Sequence, residues 1–434
     1  MRKPQKIGLI TATSLVIGNM IGAGIFLVPA TLASYGSISI LGWIFTATGA
    51  LILAKIFSNM SKIFVNVSGG PYAYSKVGFG DFIGFLVAWG YWVSIWVSNA
   101  ALCIAIIGAL SVFFPILETS LLLAVTISLS IIWILTWINN RGVKSSGRIQ
   151  VITTILKLLP LISVILVGIF FFDIDNFPDF NLTEESNWVA VSSVAAITLY
   201  AFLGIESASV PVENIDNPER TVPKATMLGT IITTCVYIFG TIVLFGVLPI
   251  DVLKDSPAPF AEAAKIMGGE YAGYFVAAGA AVAALGCLNG WILLSGQLPM
   301  ATAKDNMFPR VFKKENKNGV PYLGVFIGSA LTSALMLMNL SDGLIEQFTF
   351  IVNLTVLTAL IPLLFVAASY IIVLIDKKRH FNNVIKTFTL GTLGFAYSVW
   401  AIFGTGSDTV FYGFLLLLAG IPFYVLMQWN KREK

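Results

Sequence analysis

The sequence predicts an all-α polytopic membrane protein of twelve spans, arranged as two five-helix halves that each open on a broken helix, with two further helices appended. Three observations lead there. Of the 434 residues, 57% are hydrophobic and only 11% charged, against roughly a quarter charged in soluble domains. The apolar runs are long, and the loops between them alternate in charge. The first and sixth spans carry glycines and polar residues near their middles.

Stretches such as Phe82 to Phe113, Leu121 to Ile138, Val151 to Phe172 and Met227 to Leu248 approach or exceed the roughly 20 residues that cross a bilayer. Apolar runs between turn and charge clusters place twelve spans, starting near Ile7, Ile38, Phe82, Leu121, Ile149, Val189, Ala225, Tyr271, Leu323, Phe348, Phe388 and Thr409. The basic, then apolar, amino terminus lacks a small-residue cleavage site and is interrupted by Asn19, so it reads as a retained first helix.

Loop charge supports the count, because short cytoplasmic loops accumulate Lys and Arg. Arg2, Lys3 and Lys6 precede the first span; Lys55, Lys62 and Lys76 follow the second; Arg141, Lys144 and Arg148 follow the fourth. Arg220 and Lys224 follow the sixth, Lys304, Arg310, Lys313, Lys314 and Lys317 the eighth, Lys377, Lys378, Arg379 and Lys386 the tenth, and Lys431, Arg432 and Lys434 the last. The opposite loops hold only Lys254 and Lys265, with Asp173, Asp175, Asp179, Glu184 and Glu185 before the sixth span. Both termini therefore face the cytoplasm, in a multi-pass protein of the cytoplasmic membrane.

In the first span, Gly18, Asn19, Gly22 and Gly24 interrupt an apolar helix; glycine there weakens the helix and lets backbone approach a ligand. A GxxxG packing face is the plainer reading of Gly18 and Gly22. The sixth span repeats the device with Gly204, Glu206, Ser207, Ser209 and Pro211, and an acid at this depth requires a cavity or a partner. Interruptions at corresponding places of two halves point to an inverted-repeat transporter with a site near the midplane. The repeats run from about 7 to 173 and about 188 to 376, with helices eleven and twelve over about 386 to 429 in a single transmembrane domain. Broken helices expose N–H and C=O groups, tolerated only where they line protein or water. The N-terminal end near Gly24 suits a carboxylate, and the carbonyls near Tyr200 and Ala201 an ammonium.

GNMIGAGIFLVP from Gly18, SGGPYAYSKVGFG from Ser68, YAFLGIESASV from Tyr200, ENIDNPERTVPKA from Glu213, GCLNGW from Gly286 and AKDNMFPRVF from Ala303 occur in order. In these residues the chain resembles the amino acid, polyamine and organocation (APC) transporter superfamily, and within it the basic amino acid and polyamine antiporters such as the arginine/agmatine exchangers. The resemblance implies the five-plus-five LeuT-like fold and alternating access around a central amino acid site. It makes Ile21, Gly22, Ala23 and Gly24 the carboxylate-binding break, and Ala201, Phe202, Gly204 and Ile205 the amine-binding one. Tyr91 and Asn99 match polar positions on the third helix, Glu206 a gating acid, and Trp291 an aromatic wall residue. Three positions depart from the exchangers: Ala23 and Asn353 each stand for a serine, and Tyr200 for a tryptophan that stacks on the cationic side chain.

Lys157 also departs from the arginine/agmatine exchangers. It lies about 13 Å along a helix from Arg148, and a long side chain reaching back to the interface is the plainer reading. By resemblance to proton-coupled and some exchanging permeases, its ammonium takes the place of a coupling cation and holds the first helix through its freed carbonyls. Asp81 reads as a helix N-cap, Pro160 as a kink, and Trp92 and Trp96 as packing residues rather than site aromatics. Lys313, Lys314 and Lys317 read as topology signals with lipid contact open to them. Cys103, Cys235 and Cys287 fall inside apolar spans as small packing residues, and His380 is the single histidine.

The expected activity is secondary transport of an amino acid, basic ones included, or of its decarboxylated amine, by exchange; proton-coupled symport of broader specificity through Lys157 is the alternative. A channel suits paired helix breaks less well than an occluded site. No paired acids or nucleophile elbow suggest an enzyme, and no GxxxxGK[ST] loop supports ATP-driven pumping. No cofactor, metal or nucleic acid is expected. Membrane lipids and the substrate are the expected partners, with protons and a second copy of the chain left open.

Overall fold

Helices dominate because a lipid-exposed backbone must satisfy its own hydrogen bonds. A computed structural model describes residues 8–64, 70–141, 147–209, 215–338, 344–376 and 384–432. The expected features at Arg2, Lys3, Lys6, Ser68, Lys144, Pro211, Glu213, Lys377, Lys378, Arg379, His380 and Lys434 lie outside them, as do the side chains of Ala23, Arg148, Lys431 and Arg432.

The first span is two helices, α1 (Leu9–Met20) and α2 (Ala23–Ala33). At 1.5 Å per residue they run for about 18 and 16 Å, so their junction lies about halfway across a 30 Å hydrocarbon core. Then follow α3 (Ile38–Ile63), α4 (Pro71–Ser111), the single turn α5 (Ile116–Thr119), α6 (Leu121–Asn140) and α7 (Gly147–Gly168). The second half begins with α8 (Asn187–Leu199), continues through α9 (Pro218–Val247), the short α10 (Ile250–Asp255) and α11 (Pro259–Gly268), then α12 (Glu270–Lys304), α13 (Tyr322–Met338) and α14 (Leu344–Asp376). Helices α15 (Val384–Gly404), α16 (Ser407–Leu418) and α17 (Gly420–Arg432) complete the chain.

Ten helical stretches among the described residues are long and apolar enough to cross a membrane, counting α1–α2 and α16–α17 as one each; Asn187–Phe202 and Tyr322–Met338 are shorter apolar segments at the expected sixth and ninth spans. The third span starts earlier than expected, at Pro71 rather than Phe82. Its first ten residues, with Lys76, Gly78 and Gly80, read as loop by polarity yet are helical up to a kink at Gly80, where φ is +79°. Asp81, expected as a cap at a helix start, follows that kink and pairs with Lys76 at 3.3 Å.

Loops group on two faces, as the alternating charge requires. On one face, Ser37 N–H donates to Asp179 O (2.9 Å), Ile38 N–H to Phe180 O (2.7 Å), Leu182 N–H to Tyr35 O (3.1 Å) and Asp173 N–H to Gly246 O (2.8 Å). This face carries the two lysines that break the charge rule, and both are paired: Lys254 with Asp251 and Lys265 with Glu270, each at 2.6 Å. On the other face, Asn316 Nδ2 donates to Asn140 O at 2.6 Å and Tyr72 OH to Asp305 Oδ2 at 3.3 Å.

Helix α4 is the axis of the core, with Tyr91 to Ala109 almost wholly buried. Small residues let its neighbours approach: a Cβ at Gly90 would stand 3.2 Å from Thr358 O of α14, and one at Gly78 only 2.9 Å from Ser369 Cβ. Trp92 packs edge-on to Phe308 and Phe312 and donates its Nε1 to Ser295 O of α12 at 2.8 Å, a packing role as expected. Pro160 of α7 abuts α12, where a Cβ on Gly279 would stand 2.5 Å from its Cγ.

Candidate functional site

The break in the first span consists of two residues with non-helical backbone, Ile21 (φ −78°, ψ 85°) and Gly22 (φ −122°, ψ −127°). Helix α2 starts at Ala23 without a side-chain cap, and the first N–H groups of any helix lack intrahelical partners. Gly22 N–H is taken by Met20 O at 2.9 Å, so the donors left for a ligand are those of the first turn of α2, with its positive dipole end.

The second break is longer. Helix α8 ends at Leu199, Tyr200–Phe202 form a 3₁₀ turn, residues 203–206 are unwound, and Ser207–Ser209 form another 3₁₀ turn. Gly204 has φ +110°, and a Cβ there would stand 3.1 Å from Asn19 C and Cβ. Only glycine fits, both for its backbone and because the unwound segments lie directly against each other. Asn19 Nδ2 donates to Ser207 Oγ at 2.8 Å across the same junction.

Tyr237, which sequence reasoning passed over as one more aromatic in an apolar span, joins both breaks. Its hydroxyl lies 2.7 Å from Met20 O and 2.8 Å from Ala201 O. Tyr200 O accepts from Leu203 N–H at 3.1 Å. Tyr200 O thus has one donor, while Ala201 O shares the single Tyr237 proton with Met20 O, and both keep room for a further donor.

Between the breaks lies a cavity of about 20 Å³ lined by Gly22, Gly24, Tyr200 and Trp291 among the expected site residues, room for about one water. Ser98, Leu102, Leu203, Cys287 and Met20, none of which had been chosen, line it too, with Asn19 of the first break. Cys287 sits 3.8 Å from Asn19 O through its Sγ, and a Cβ on Gly22 would stand 2.8 Å from that sulfur. Cysteine on a helix carries no periodic signal separating wall from packing, so only the fold could reveal it. Ser98 Oγ and Tyr200 OH are 3.2 Å apart, and the Tyr200 ring meets Phe348 edge-on.

Glu206, 3% exposed, is held by both oxygens: Oε1 accepts from Tyr91 OH at 2.5 Å and Oε2 from Gly204 N–H at 3.2 Å. These three expected residues form one cluster beside the cavity rather than in its wall. Lys157, also 3% exposed, donates from Nζ to Gly18 O at 2.9 Å. Its chain points into the protein, so the reach back to the interface is replaced by a contact with the last turn of α1.

The remaining expected residues are dispersed. Phe202 packs between Trp43 and Tyr237, and Ile205 is buried at 1% exposure. Asn99 is buried with neither side-chain polar atom bonded within the protein, and Asn353 Oδ1 and Trp96 Nε1 are likewise without a protein partner. Buried amides are seldom left so, which keeps Asn99 and Asn353 as candidates for contact with a bound molecule.

A family model for amino acid permeases matches residues 7–430. The chain is 33% identical to the cadaverine/lysine antiporter of Escherichia coli (strain K12) over 430 residues, 98% of this chain and 95% of that one. It is 31% identical to the putrescine transporter PotE of Haemophilus influenzae over 429 residues (99% and 98%), and 32% identical to PotE of Escherichia coli (strain K12) over 430 residues (98% and 97%). With its paired helix breaks and a family match over nearly its whole length, this multi-pass membrane protein belongs to the amino acid permease family and is a transporter.

Proposed function

We propose that this protein exchanges an amino acid, or the amine derived from it, across the cytoplasmic membrane by alternating access. The observation that carries the reading is the meeting of two helix breaks about halfway along their spans, around a small cavity. In it, the first turn of α2, with Ile21 to Gly24, takes the carboxylate. The second break, Tyr200 to Ile205, takes the ammonium through the remaining lone pairs of Tyr200 and Ala201 O. Trp291, Tyr200, Asn99 and Asn353 surround the side chain, while Glu206 with Tyr91 gates and Lys157 substitutes for a coupling cation.

Residues 7–173 and 188–376 form the inverted repeats of a twelve-span fold, with helices eleven and twelve over 386–429. Both termini are cytoplasmic, as the basic loops favour. Lipids contact the basic face, and protons and a second copy of the chain remain candidate partners. Relatives named as an antiporter and as putrescine transporters support exchange of an amino acid or amine over symport.

Purified protein in liposomes, given labelled amino acids and diamines with and without internal substrate, tests this. Uptake should rise severalfold with internal load, and equal uptake from empty liposomes driven by an imposed pH gradient would replace exchange by symport.

A further inference from the structure

We infer that the site between the breaks selects an α-amino acid with a compact, uncharged side chain and rejects diamines and basic amino acids. The inference rests on the exchange reading above and narrows its substrate class. None of the residues lining the cavity carries a charge; its polar members are Asn19, Ser98, Tyr200, Cys287 and Trp291. The fixed charges lie behind that wall.

Two positive features sit at one end. The first turn of α2 opens onto the cavity through Gly22 and Gly24, and Lys157 Nζ is bonded to Gly18 O, one residue before Asn19 in the wall. A Cβ on Gly286 would stand 3.9 Å from Lys157 Cε, which sets the lysine chain against the turn of α12 that carries Cys287. Among the described residues the one buried acid, Glu206, is not part of the cavity wall, and its two oxygens are turned to Tyr91 OH and Gly204 N–H.

Among the described residues, Lys157 and Glu206 are the buried charged side chains, so the enclosed region starts near neutrality. A zwitterion leaves it so. Lysine would add a second ammonium facing a wall without a carboxylate, and a desolvated ammonium without a counter-charge is strongly disfavoured. A diamine would add two positive charges and bring no carboxylate to α2. Size points the same way: a Cβ on Gly22 would stand 2.8 Å from Cys287 Sγ and one on Gly24 3.0 Å from Ala201 Cβ, so the walls are close and each added methylene of a substrate demands further parting of them.

The test is competition for exchange in liposomes holding the purified full chain, with alanine, serine, leucine, lysine, arginine, cadaverine and putrescine as competitors. Alanine and serine should compete at least tenfold better than lysine or arginine, and the diamines should fail at millimolar concentration. A diamine or lysine competing as well as alanine overturns the inference and leaves exchange standing. If none of the seven is exchanged, the exchange reading falls and takes this one with it. Ser98→Asp, which adds a carboxylate to the wall, should raise lysine competition at least tenfold relative to alanine; an unchanged ranking in inserted protein would likewise count against the charge argument.

Discussion

A primary amine beside the last carbonyls of α1 does two things at once. Lys157 satisfies Gly18 O, which the break in the first span leaves without its usual i+4 partner, and it places positive charge beside the cavity. Hydrogen bonds to charged groups contribute about 1.5–3 kcal/mol, enough for a tenfold change or more. Lys157→Ala is therefore expected to lower exchange at least tenfold with insertion unchanged, and Lys157→Leu to do no better despite its apolarity. Wild-type rates in both, across pH, would return Lys157 to a packing role. At the neighbouring cluster, Tyr91→Phe removes the donor to Glu206 Oε1 and leaves a buried acceptor exposed to no partner, costing about 1–3 kcal/mol. The variant should lose thermal stability and transport together, whereas Glu206→Gln, whose amide can accept from Gly204 N–H and donate to Tyr91 OH, should retain more stability than Tyr91→Phe. The reverse order of melting temperatures would mean that the phenol does not hold the acid.

For the helices, the glycines decide how closely the two breaks meet. A Cβ on Gly24 would lie 3.0 Å from Ala201 Cβ and 3.1 Å from its Cα. Gly24→Ala should therefore wedge the breaks apart, lowering substrate affinity at least tenfold and stability by about 1–3 kcal/mol as overpacking does. Gly290→Ala on α12, where a Cβ meets nothing within 4 Å, should be neutral in transport and neutral or slightly stabilising, since Ala favours the helix over Gly; an equal loss there would mean that the Gly24 effect does not come from the contact with Ala201. Both breaks were legible in the sequence because glycine and polar residues inside a long apolar run have few other uses. Their depth followed from counting residues. Tyr237, Ser98 and Cys287 were not legible: each is a small or amphipathic residue in an apolar helix, and its role depends on which face the packing turns inward. Phe202 belongs to the second break by its backbone, while its ring turns into the Trp43 and Tyr237 cluster. The start of α4 was missed because Lys76, Gly78 and Gly80 look like loop when the only test is polarity.

Across the whole molecule, the loops sort onto two faces by hydrogen bonds, and the proposed orientation makes the basic one cytoplasmic. Asn318, in the exposed loop after α12, and Glu184, in the acidic loop before α8, lie on opposite faces by this scheme. In a background with Cys235, the exposed native cysteine, changed to Ala, Asn318→Cys should react with an impermeant maleimide only in inside-out vesicles and Glu184→Cys only in right-side-out ones. Labelling of both from one side would dismantle the span count. The charge alternation proposes this topology without any tertiary information, and its two exceptions, Lys254 and Lys265, are both held in ion pairs.

The acidic loop that joins the halves has a mechanical consequence. Through Asp179 and Phe180 it grips the start of α3, through Leu182 it returns to Tyr35, and through Asp173 it holds the end of α9. It thus works as a yoke across this face, and a yoke allows rocking about itself but resists separation of what it clasps. If α3 and α9 stay clasped throughout the cycle, the amides of Ser37, Ile38, Asp173 and Leu182 should keep the same protection from deuterium exchange whether the protein is idle or turning over. Amides lining the two breaks, by contrast, should gain and lose protection as substrate comes and goes.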